Sequence, residues 1–475
     1  TQEIQRHLFQ QMQELATDMR FEEAQLCEIM LRDSAHIQMF EAEWRNRKAA
    51  RSGGKLKEFV PLYDMDAAVN VCKQFVGCEY DRVYDIAEGI KIRFTDVGHL
   101  LGSASIEVWA TEKTENGDVT EKIVFSGDIG NINKPIIKDP KHVRDADYVV
   151  MESTYGNRSH GGTPNYVEDL TDIFKRTFER GGNVVIPSFA VGRTQELLYI
   201  IRKIKEDNLV GRDFDVYMDS PLAIEATNIF IKNVESCFDD EAVELVRKGI
   251  NPLTFPGLKY ATTGDESKQI NFDPNPKVII SSSGMCEAGR IRHHLKHNLW
   301  RPECTIVFVG YQAVGTTGRI IVDGAEEIKL FGEPIQIKAE IVQLKGSSGH
   351  ADKDGLLCWI NAFDTKPKKV FVVHGEDSVC DEFTECLKEE YGYDAMAPYT
   401  GGSYDLIADR VISEGVKERK TRRTTSTQRG KTVFDRLVAA GKRLMTVITH
   451  NEGGTNKDLA KFTDQINALC DKWDR

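Results

Sequence analysis

Five carboxylate or imidazole side chains lie at or just beyond the end of a short apolar stretch, where a strand gives way to a loop. They are His99 in DVGHLLGSAS, Asp128 in FSGDIGN, Glu152 in VVMESTYG, His350 in GSSGHAD and His374 in VVHGED. In an open sheet the strand ends on one side converge, and ligand sites form there. Neutral imidazole and carboxylate are the ligands that suit zinc or a similar divalent ion. Any one of these residues alone would be explained by a structural hydrogen bond, but together they predict a metal site.

Asp128 follows the apolar residues Ile123 to Phe125 and has Gly127 before it and Gly130 shortly after it. One interpretation is a tight turn, because Asp and Gly are common turn residues. The other is that the glycines let the backbone approach closely, while an uncrowded carboxylate binds or bridges metal ions. The other strand-end side chains favour the second interpretation.

A serine- and glycine-rich segment, SSSGMCEAGR, precedes a helical stretch that carries further basic residues. Backbone N–H groups at a helix start bind phosphate well. Ser283, Gly284 and Arg290 are therefore candidate substrate-binding residues. Arg193 in VGRT and Arg319 in TGR follow glycine turns in the same way, and join them. Plain helix capping is the alternative explanation.

The elements around these residues are predicted to be of two kinds. The stretches IKIRFTDVGH and SASIEVWATE alternate with a period of two, and NGD marks a hairpin turn before EKIVFSGD. Further along, helical and apolar strand-like stretches alternate, which is typical of parallel α/β units. Near the start, apolar spacing predicts helix over residues 1–43, a basic, glycine-broken loop over 44–58 and a helix from Met65 to Phe75.

Composition limits the classes of function. The net charge of −12 argues against indiscriminate coating of nucleic acid, although steering by a local basic cleft depends only on the local field. The ten cysteines form no CxxC pair, which is typical of reduced thiols in a cytosol. No apolar run approaches the ~18 residues of a membrane helix. We therefore expect a cytoplasmic protein without membrane contact.

The ordered motifs GHLLGSAS, SGDIGN, ESTYGNRSH, GSSGHAD and VVHGE resemble the metallo-β-lactamase fold with a β-CASP insertion. That family contains RNA-processing nucleases, among them the cleavage subunit of the polyadenylation machinery and its bacterial relatives. Markers of the insertion are similar too, namely IPSFAVGRTQELL, MDSPLA, SSSGMCEAGRIRHHL and VGYQAVGTTGR. The resemblance covers roughly residues 27–409. It implies an α/β fold, with an αββα sandwich and an inserted α/β domain.

The resemblance also implies roles for the strand-end residues. His99 and His374 would each bind one of two zinc ions, Asp128 would bridge both, Glu152 would support the site and His350 would assist the leaving group. The implied function is metal-dependent hydrolysis of phosphodiester bonds in RNA, with a single strand held in the cleft between the domains. A small-molecule hydrolase is disfavoured, because a small substrate does not need a second domain.

One family motif is not found. The family's first metal motif is His-x-His-x-Asp-His, and none of the eleven histidines has that spacing. The segment RHHLKH, residues 292–297, is predicted to be a helix of the insertion. We therefore expect an N-terminally incomplete sandwich with doubtful zinc occupancy and impaired activity. The alternative is a non-catalytic RNA- or protein-binding scaffold with a degenerate metal site.

The predicted organisation has five parts. A helical segment over residues 1–26 resembles half of a UVR motif, a protein-interaction module, with an ordinary amphipathic helix as the alternative. The first part of the metallo-β-lactamase domain follows over 27–162, then the β-CASP domain over 163–338 and the second part of the sandwich over 339–409. Residues 410–475 are expected to be a charged linker and helices. A protein partner at the N-terminal helix and a homodimer through the C-terminal region are possible within this scheme.

Overall fold

The structure is a computed structural model, and it describes residues 22–51, 59–115, 117–159, 161, 165–234, 238–344, 348–416, 444, 448 and 456–473. The chain divides into two compact units, Thr1–Gly415 and Val416–Arg475. In the first unit the described strands are β1 (Val83–Ala87), β2 (Ile90–Asp96), β3 (Ala104–Thr114), β4 (Gly117–Phe125), β5 (Tyr148–Glu152), β6 (Val184–Pro187), β7 (Asp215–Asp219), β8 (Leu258–Tyr260), β9 (Lys277–Ser281), β10 (Thr305–Phe308), β11 (Glu327–Leu330), β12 (Glu333–Gln336), β13 (Glu340–Gln343), β14 (Lys369–Val373), β15 (Ala395–Met396), β16 (Ser403–Asp405) and β17 (Arg410–Ser413).

The described helices of the first unit alternate with these strands over most of its length. They are α1 (Glu22–Arg51), α2 (Met65–Cys72), α3 (Tyr166–Glu179), α4 (Arg193–Glu206), α5 (Pro221–Lys232), α6 (Asp240–Arg247), α7 (Gly264–Phe272), α8 (Ile291–Asn298), α9 (Thr317–Val322), α10 (Lys353–Ile360) and α11 (Asp377–Glu389). In the second unit the described helix is α12 (Asn456–Trp473). A helix was predicted there. Of the charged linker predicted to begin at residue 410, residues 410–413 form β17, and residues 417–443 lie outside the described residues.

The first sheet has the strand order β1-β2-β3-β4-β5-β14-β15. Strands β1 to β4 form an antiparallel meander, and β4, β5, β14 and β15 pair in parallel. The hairpin predicted at NGD joins β3 to β4. Both faces of β5 are largely buried, as its continuous apolar sequence requires. This sheet carries the strand ends on which the candidate site is built.

Helices α10 and α11 cover one face of this sheet. Their side chains Trp359, Phe383 and Leu387 share a core with Val149 of β5 and Val372 of β14. On another part of the sheet Tyr148 and Phe371 pack against Tyr404 of the small β16–β17 hairpin. The mixed α/β class is as predicted. We call the part of the first unit that is built on this sheet the first lobe. Within the described ranges, however, the first lobe contains no second large sheet of an αββα sandwich.

The inserted domain is built on a sheet of order β13-β10-β6-β9-β7-β8, in which every pairing is parallel. Its inner strands β6, β9 and β10 are buried throughout, because helices cover both faces. Two apolar cores result, one containing Phe174 and Leu198 and the other Ile279 and Leu295. The predicted alternation of helix and strand is confirmed here.

The N-terminal helix extends further than predicted. Residues 44–51 were expected in a loop, but α1 is continuous from Glu22 to Arg51. No glycine interrupts the sequence before Gly53, and ion pairs one turn apart join Arg45 to Glu41 and Arg47 to Glu43. Residues 1–21, which carry most of the UVR-like segment, and residues 52–58 lie outside the described residues. The second predicted helix ends at Cys72, before Phe75.

None of the described helices combines the length and the apolar composition that crossing a membrane requires.

Candidate active site

Strand direction explains why distant residues meet at one edge of the first sheet. Strands β4, β5 and β14 are parallel, and β2 runs the same way because β2 and β4 are both antiparallel to β3. Their carboxyl ends therefore lie together. Glu152 is the last residue of β5, His374 follows β14 directly, and the loops after β2 and β4 carry His99 and Asp128. His350 joins them from the segment between β13 and α10 through a backbone bridge to Gly130.

The predicted residues form one cluster. The ring centroid of His350 lies 4.4 Å from that of His99 and 5.8 Å from that of His374. The Nδ1 atom of His374 is 3.4 Å from Oδ1 of Asp128 and 4.0 Å from Oε2 of Glu152. All five strand-end residues are thus close enough to act on one bound group.

The glycines beside Asp128 are required by backbone packing. A Cβ on Gly130 would lie 2.0 Å from the carbonyl oxygen of Gly98, and the Gly130 amide donates to the Val97 carbonyl at 2.8 Å. Gly127 has φ +61°, and a Cβ there would lie 2.5 Å from the carbonyl oxygen of Ala104. Close approach to the loop after β2 therefore explains Gly130, and close approach to the start of β3 explains Gly127. The side chain of Asp128 stays 43% exposed in the cluster.

Glu152 and His350 are an electrostatic pair. The buried carboxylate accepts hydrogen bonds from the Ile129 and Thr154 amides, and Nδ1 of His350 lies 3.1 Å from each of its oxygens. Burial opposes ionisation, yet the contact with His350 holds the pKa of Glu152 below its usual range. Burial likewise opposes a charge on His350, but Glu152 raises the pKa of that imidazole. The pair favours a proton on His350.

The pKa of His99 is shifted in the opposite direction to that of His350. Burial, with the neighbouring His350, lowers the pKa of His99 to about 4. Its Nδ1 atom is buried without a hydrogen-bond partner among the described residues. The Ser103 hydroxyl accepts from the His99 and Leu100 amides and so fixes the loop. A neutral imidazole with an unpaired buried nitrogen is the chemistry of a metal ligand.

Two overlapping donor sets could hold a metal ion. One comprises His99, Asp128 and His350, and the other Glu152, His350 and His374, and in each set the donor atoms lie within 4.8 Å of one another. Imidazole nitrogen and carboxylate oxygen suit zinc. The unpaired His99 nitrogen and these donors fit a divalent ion.

A cavity of about 1090 Å³ extends from this cluster to the inserted domain. His99, His350 and Tyr155 line one side, and Phe189, Ser283 and Arg290 line the other. Met30, Ile37 and Phe40 of α1 also border it. The Tyr311 hydroxyl donates to Glu376 at 2.8 Å and links the inserted domain to α11 of the first lobe.

The predicted substrate-binding residues occupy different surroundings. The Ser283 amide donates to the Ala288 carbonyl within its loop, and Gly284 packs against the Phe189 ring. Arg290 donates to Asp219 at 2.7 Å and to the Ala261 and Thr262 carbonyls, and Arg193 pairs with Glu196. Arg319 pairs with Asp323 and is not among the residues that line the cavity.

Several residues near the cluster had no predicted role, although Glu196, Asp219 and His294 lie within the motifs that mark the insertion. The buried Glu196 pairs with Lys134 at 2.8 Å as well as with Arg193. The buried Asp219 lies 2.6 Å from His294 Nε2. These contacts join residues far apart in the chain, which no local spacing reveals. The position of Asp219 at the end of a buried strand was a further hint.

Two family models match the chain. A Beta-Casp domain matches residues 194–321, and a Zn-dependent metallo-hydrolase RNA specificity domain matches residues 334–398. The fold, with strand-end histidines and carboxylates facing an inserted parallel-sheet domain, is that of the β-CASP family of metallo-β-lactamase-type hydrolases. The two matches place residues 194–321 and 334–398 in this family, and the second model is described as Zn-dependent.

Three curated relatives illustrate the similarity. Ribonuclease TTHA0252 of Thermus thermophilus is 35% identical over 61% of this chain and 63% of its own length. Transcription termination factor FttA of Methanosarcina mazei is 32% identical over 74% of this chain and 54% of its own. An RNase J-like protein of Methanocaldococcus jannaschii is 35% identical over 61% of this chain and 65% of its own. The chain thus spans between about half and two thirds of the length of these relatives.

Proposed function

We propose that this protein hydrolyses phosphodiester bonds in single-stranded RNA and uses zinc to do so. The observation that carries the proposal is the cluster of His99, Asp128, Glu152, His350 and His374, of which His99 and His350 line a cavity shared with the inserted domain. The matched RNA specificity domain and the ribonuclease among the relatives support RNA as the substrate class.

His99, Asp128 and His374 would hold the metal, and the partly exposed carboxylate of Asp128 would offer it two anionic oxygens. When bound, a pair of metal ions supplies an activated water and stabilises charge on the attacked phosphate. The low pKa of His99 keeps this ligand neutral at physiological pH, so that metal binding does not have to displace a proton from it.

His350 would deliver a proton to the leaving oxygen. Burial opposes a charge on this imidazole, but Glu152 raises its pKa and orients the ring through Nδ1 beside the cavity. A positioned general acid of this kind contributes about 10²- to 10⁴-fold to rate. Glu152 acts through His350, and its burial keeps the pair in one geometry.

Substrate phosphates would contact the loop at Ser283 and Gly284, of which Ser283 lines the cavity. Arg290 and Arg193 supply positive charge there, although their hydrogen bonds to Asp219 and Glu196 direct them partly into the protein. Arg319 would contribute only at the periphery, through the field of its charge. This division favours binding that depends on the RNA backbone and not on base identity.

A cleavage assay tests the proposal. A short end-labelled single-stranded RNA is incubated with the zinc-loaded chain, with the metal-free chain and with His350→Ala. Cleavage by the zinc-loaded chain that is lost without metal and greatly slowed in the variant supports the assignment. Equal cleavage by all three preparations would mean that a contaminating nuclease is responsible.

The alternative is an RNA-binding scaffold without catalysis, and the absence of His-x-His-x-Asp-His from the sequence favours it. Affinity for metal depends on the number of preformed ligands, so the zinc content of this chain would be low. RNA binding without cleavage at saturating zinc would select this function.

We place the protein in the cytoplasm in this proposal, on its thiol content and RNA substrate. The proposal also includes a homodimer through the C-terminal region and a protein partner at the N-terminal helix. Size-exclusion chromatography with light scattering tests the first of these.

A further inference from the structure

Phe331 lies at the tip of the β11–β12 hairpin in an unusual backbone conformation. Leu330 pairs with Glu333, so the loop has only two residues, Phe331 and Gly332. Their φ angles are +54° and +88°, the pattern of a type I′ turn. Asn, Asp and Gly favour such turns, whereas a bulky aromatic residue does not. The presence of Phe at this position therefore needs a reason beyond the turn.

The Phe331 ring is held in place by two neighbours on α8. The His293 ring stacks on it at a centroid distance of 4.4 Å and an interplanar angle of 26°. The Arg292 guanidinium carbon lies 4.8 Å from the Phe331 centroid. Burial and the adjacent histidines lower the pKa of His293, so the imidazole is neutral. The result is an ordered group of flat side chains.

This group of side chains lines the same cavity as His99 and His350 of the strand-end cluster. Phe331, His293 and Arg292 all belong to its lining. Phe331 nevertheless remains 46% exposed. The Nε atom of Arg292 is buried without a hydrogen-bond partner among the described residues. The cavity lining thus combines a partly exposed aromatic ring with a guanidinium whose Nε is unpaired.

We infer that Phe331 and His293 form a stacking surface for a nucleobase of single-stranded RNA, with the Arg292 guanidinium beside it. The inference rests on the proposed function, since it takes the same RNA as the ligand. Stacking on an aromatic side chain is tolerant of sequence, because every base has a π-face. The surface would hold a base while the backbone reaches the cluster across the cavity.

A simpler explanation is that Phe331 only shields His293 from water. The two explanations differ in what the ring must be. A shield needs bulk and apolar surface, which leucine supplies, whereas stacking needs an aromatic face. The substitution Phe331→Leu therefore separates them, and Phe331→Tyr keeps the aromatic face.

The test measures binding by fluorescence anisotropy to the full chain in EDTA, where cleavage is prevented. The probes are a short single-stranded RNA and an oligomer of equal length in which the bases are removed. We expect Phe331→Leu to weaken binding of the intact RNA by about 5- to 100-fold, and Phe331→Tyr to bind like the unaltered chain. Binding of the abasic oligomer should be the same for all three proteins.

Phe272→Leu is the matched control. Phe272 is also exposed and also lies near a histidine, His297, but it is not among the residues that line the cavity. This variant should bind intact RNA normally. Circular dichroism of each variant checks that the fold is retained.

Unchanged affinity in Phe331→Leu, an equal loss on both oligomers, or no RNA binding by the unaltered chain would overturn the inference. These outcomes are independent of cleavage. A chain that discriminates intact from abasic RNA through Phe331 but never cleaves would retain the stacking surface and refute the hydrolase. A chain that cleaves RNA, but in which Phe331→Leu leaves the preference for intact over abasic RNA unchanged, would support the hydrolase and refute the stacking surface.

Discussion

Lys134 and Glu196 form an ion pair of 2.8 Å between the two lobes of the first unit. Lys134 lies in the segment between β4 and β5 and Glu196 in α4, and both side chains are at most 10% exposed. The Lys134 ammonium also donates to the carbonyl oxygen of His99 at 3.3 Å. Burial opposes the carboxylate charge, but Arg193 and Lys134 hold the pKa of Glu196 below its usual range. The inserted domain is therefore tied electrostatically to a predicted metal ligand.

Glu196→Gln should destabilise the chain more than Lys134→Met does. The first change leaves two cations without their buried partner, whereas the second leaves Glu196 paired with Arg193. Removing one partner of a buried pair costs about 3–5 kcal/mol, and we expect Glu196→Gln to reach that range. Urea unfolding followed by fluorescence measures the difference. Equal costs in the two variants would mean that Arg193 does not compensate.

Asp128→Asn should reduce zinc affinity while leaving the metal-free fold intact. An amide offers one neutral carbonyl oxygen where the carboxylate offers two anionic ones, so affinity should fall by at least about tenfold. Zinc content after dialysis and thermal unfolding in EDTA are measured side by side. Asp118→Asn, at the other end of β4, is the control. If Asp128→Asn binds zinc normally, the aspartate serves the turn alone.

His350→Ala should slow RNA cleavage by about 10²- to 10⁴-fold, the usual contribution of a general acid. Zinc content should fall much less than in Asp128→Asn, because His99, Asp128 and His374 remain. Single-turnover cleavage at saturating zinc measures the rate, and elemental analysis measures the metal. A variant that loses zinc as completely as Asp128→Asn would identify His350 as a ligand.

Asp219 should make the inserted domain sensitive to acid. Burial opposes its charge, but hydrogen bonds from His294, Ser267 and Arg290 hold the pKa of Asp219 below its usual range. Its stabilisation is therefore complete above the ordinary aspartate pKa of about 4 and is lost as the pH falls through the lower folded value. The free energy of unfolding in urea should be higher for the unaltered chain than for Asp219→Asn at neutral pH, and the two values should become equal in acid.

Ser267→Ala removes one of the hydrogen bonds to Asp219, donated by the serine hydroxyl at 2.5 Å. At neutral pH the free energy of unfolding of this variant should lie between that of the unaltered chain and that of Asp219→Asn. A difference between the unaltered chain and Asp219→Asn that does not change with pH would show that packing, and not charge, accounts for the role of Asp219.

The strand-end cluster was predictable because it depends on local patterns. A period of two, apolar runs and the order of glycine-rich motifs identified the strands that bring Glu152 and His374 together. The ion pair of Lys134 with Glu196 was not predictable, because its partners are far apart in sequence and no local pattern links them. The extent of α1 was missed for a different reason. A basic composition was taken as a sign of a loop, although glutamates one turn earlier compensate those charges.

The turn at Phe331 and Gly332 sets fold stability against substrate affinity. A residue other than glycine with a left-handed backbone costs roughly 1–2 kcal/mol, which asparagine or glycine at this position would largely recover. Selection for heat resistance alone should therefore replace Phe331 and yield a more robust chain with weaker hold on RNA. Selection for turnover should keep it. The residue found at position 331 after laboratory evolution would show which of the two selections had been stronger.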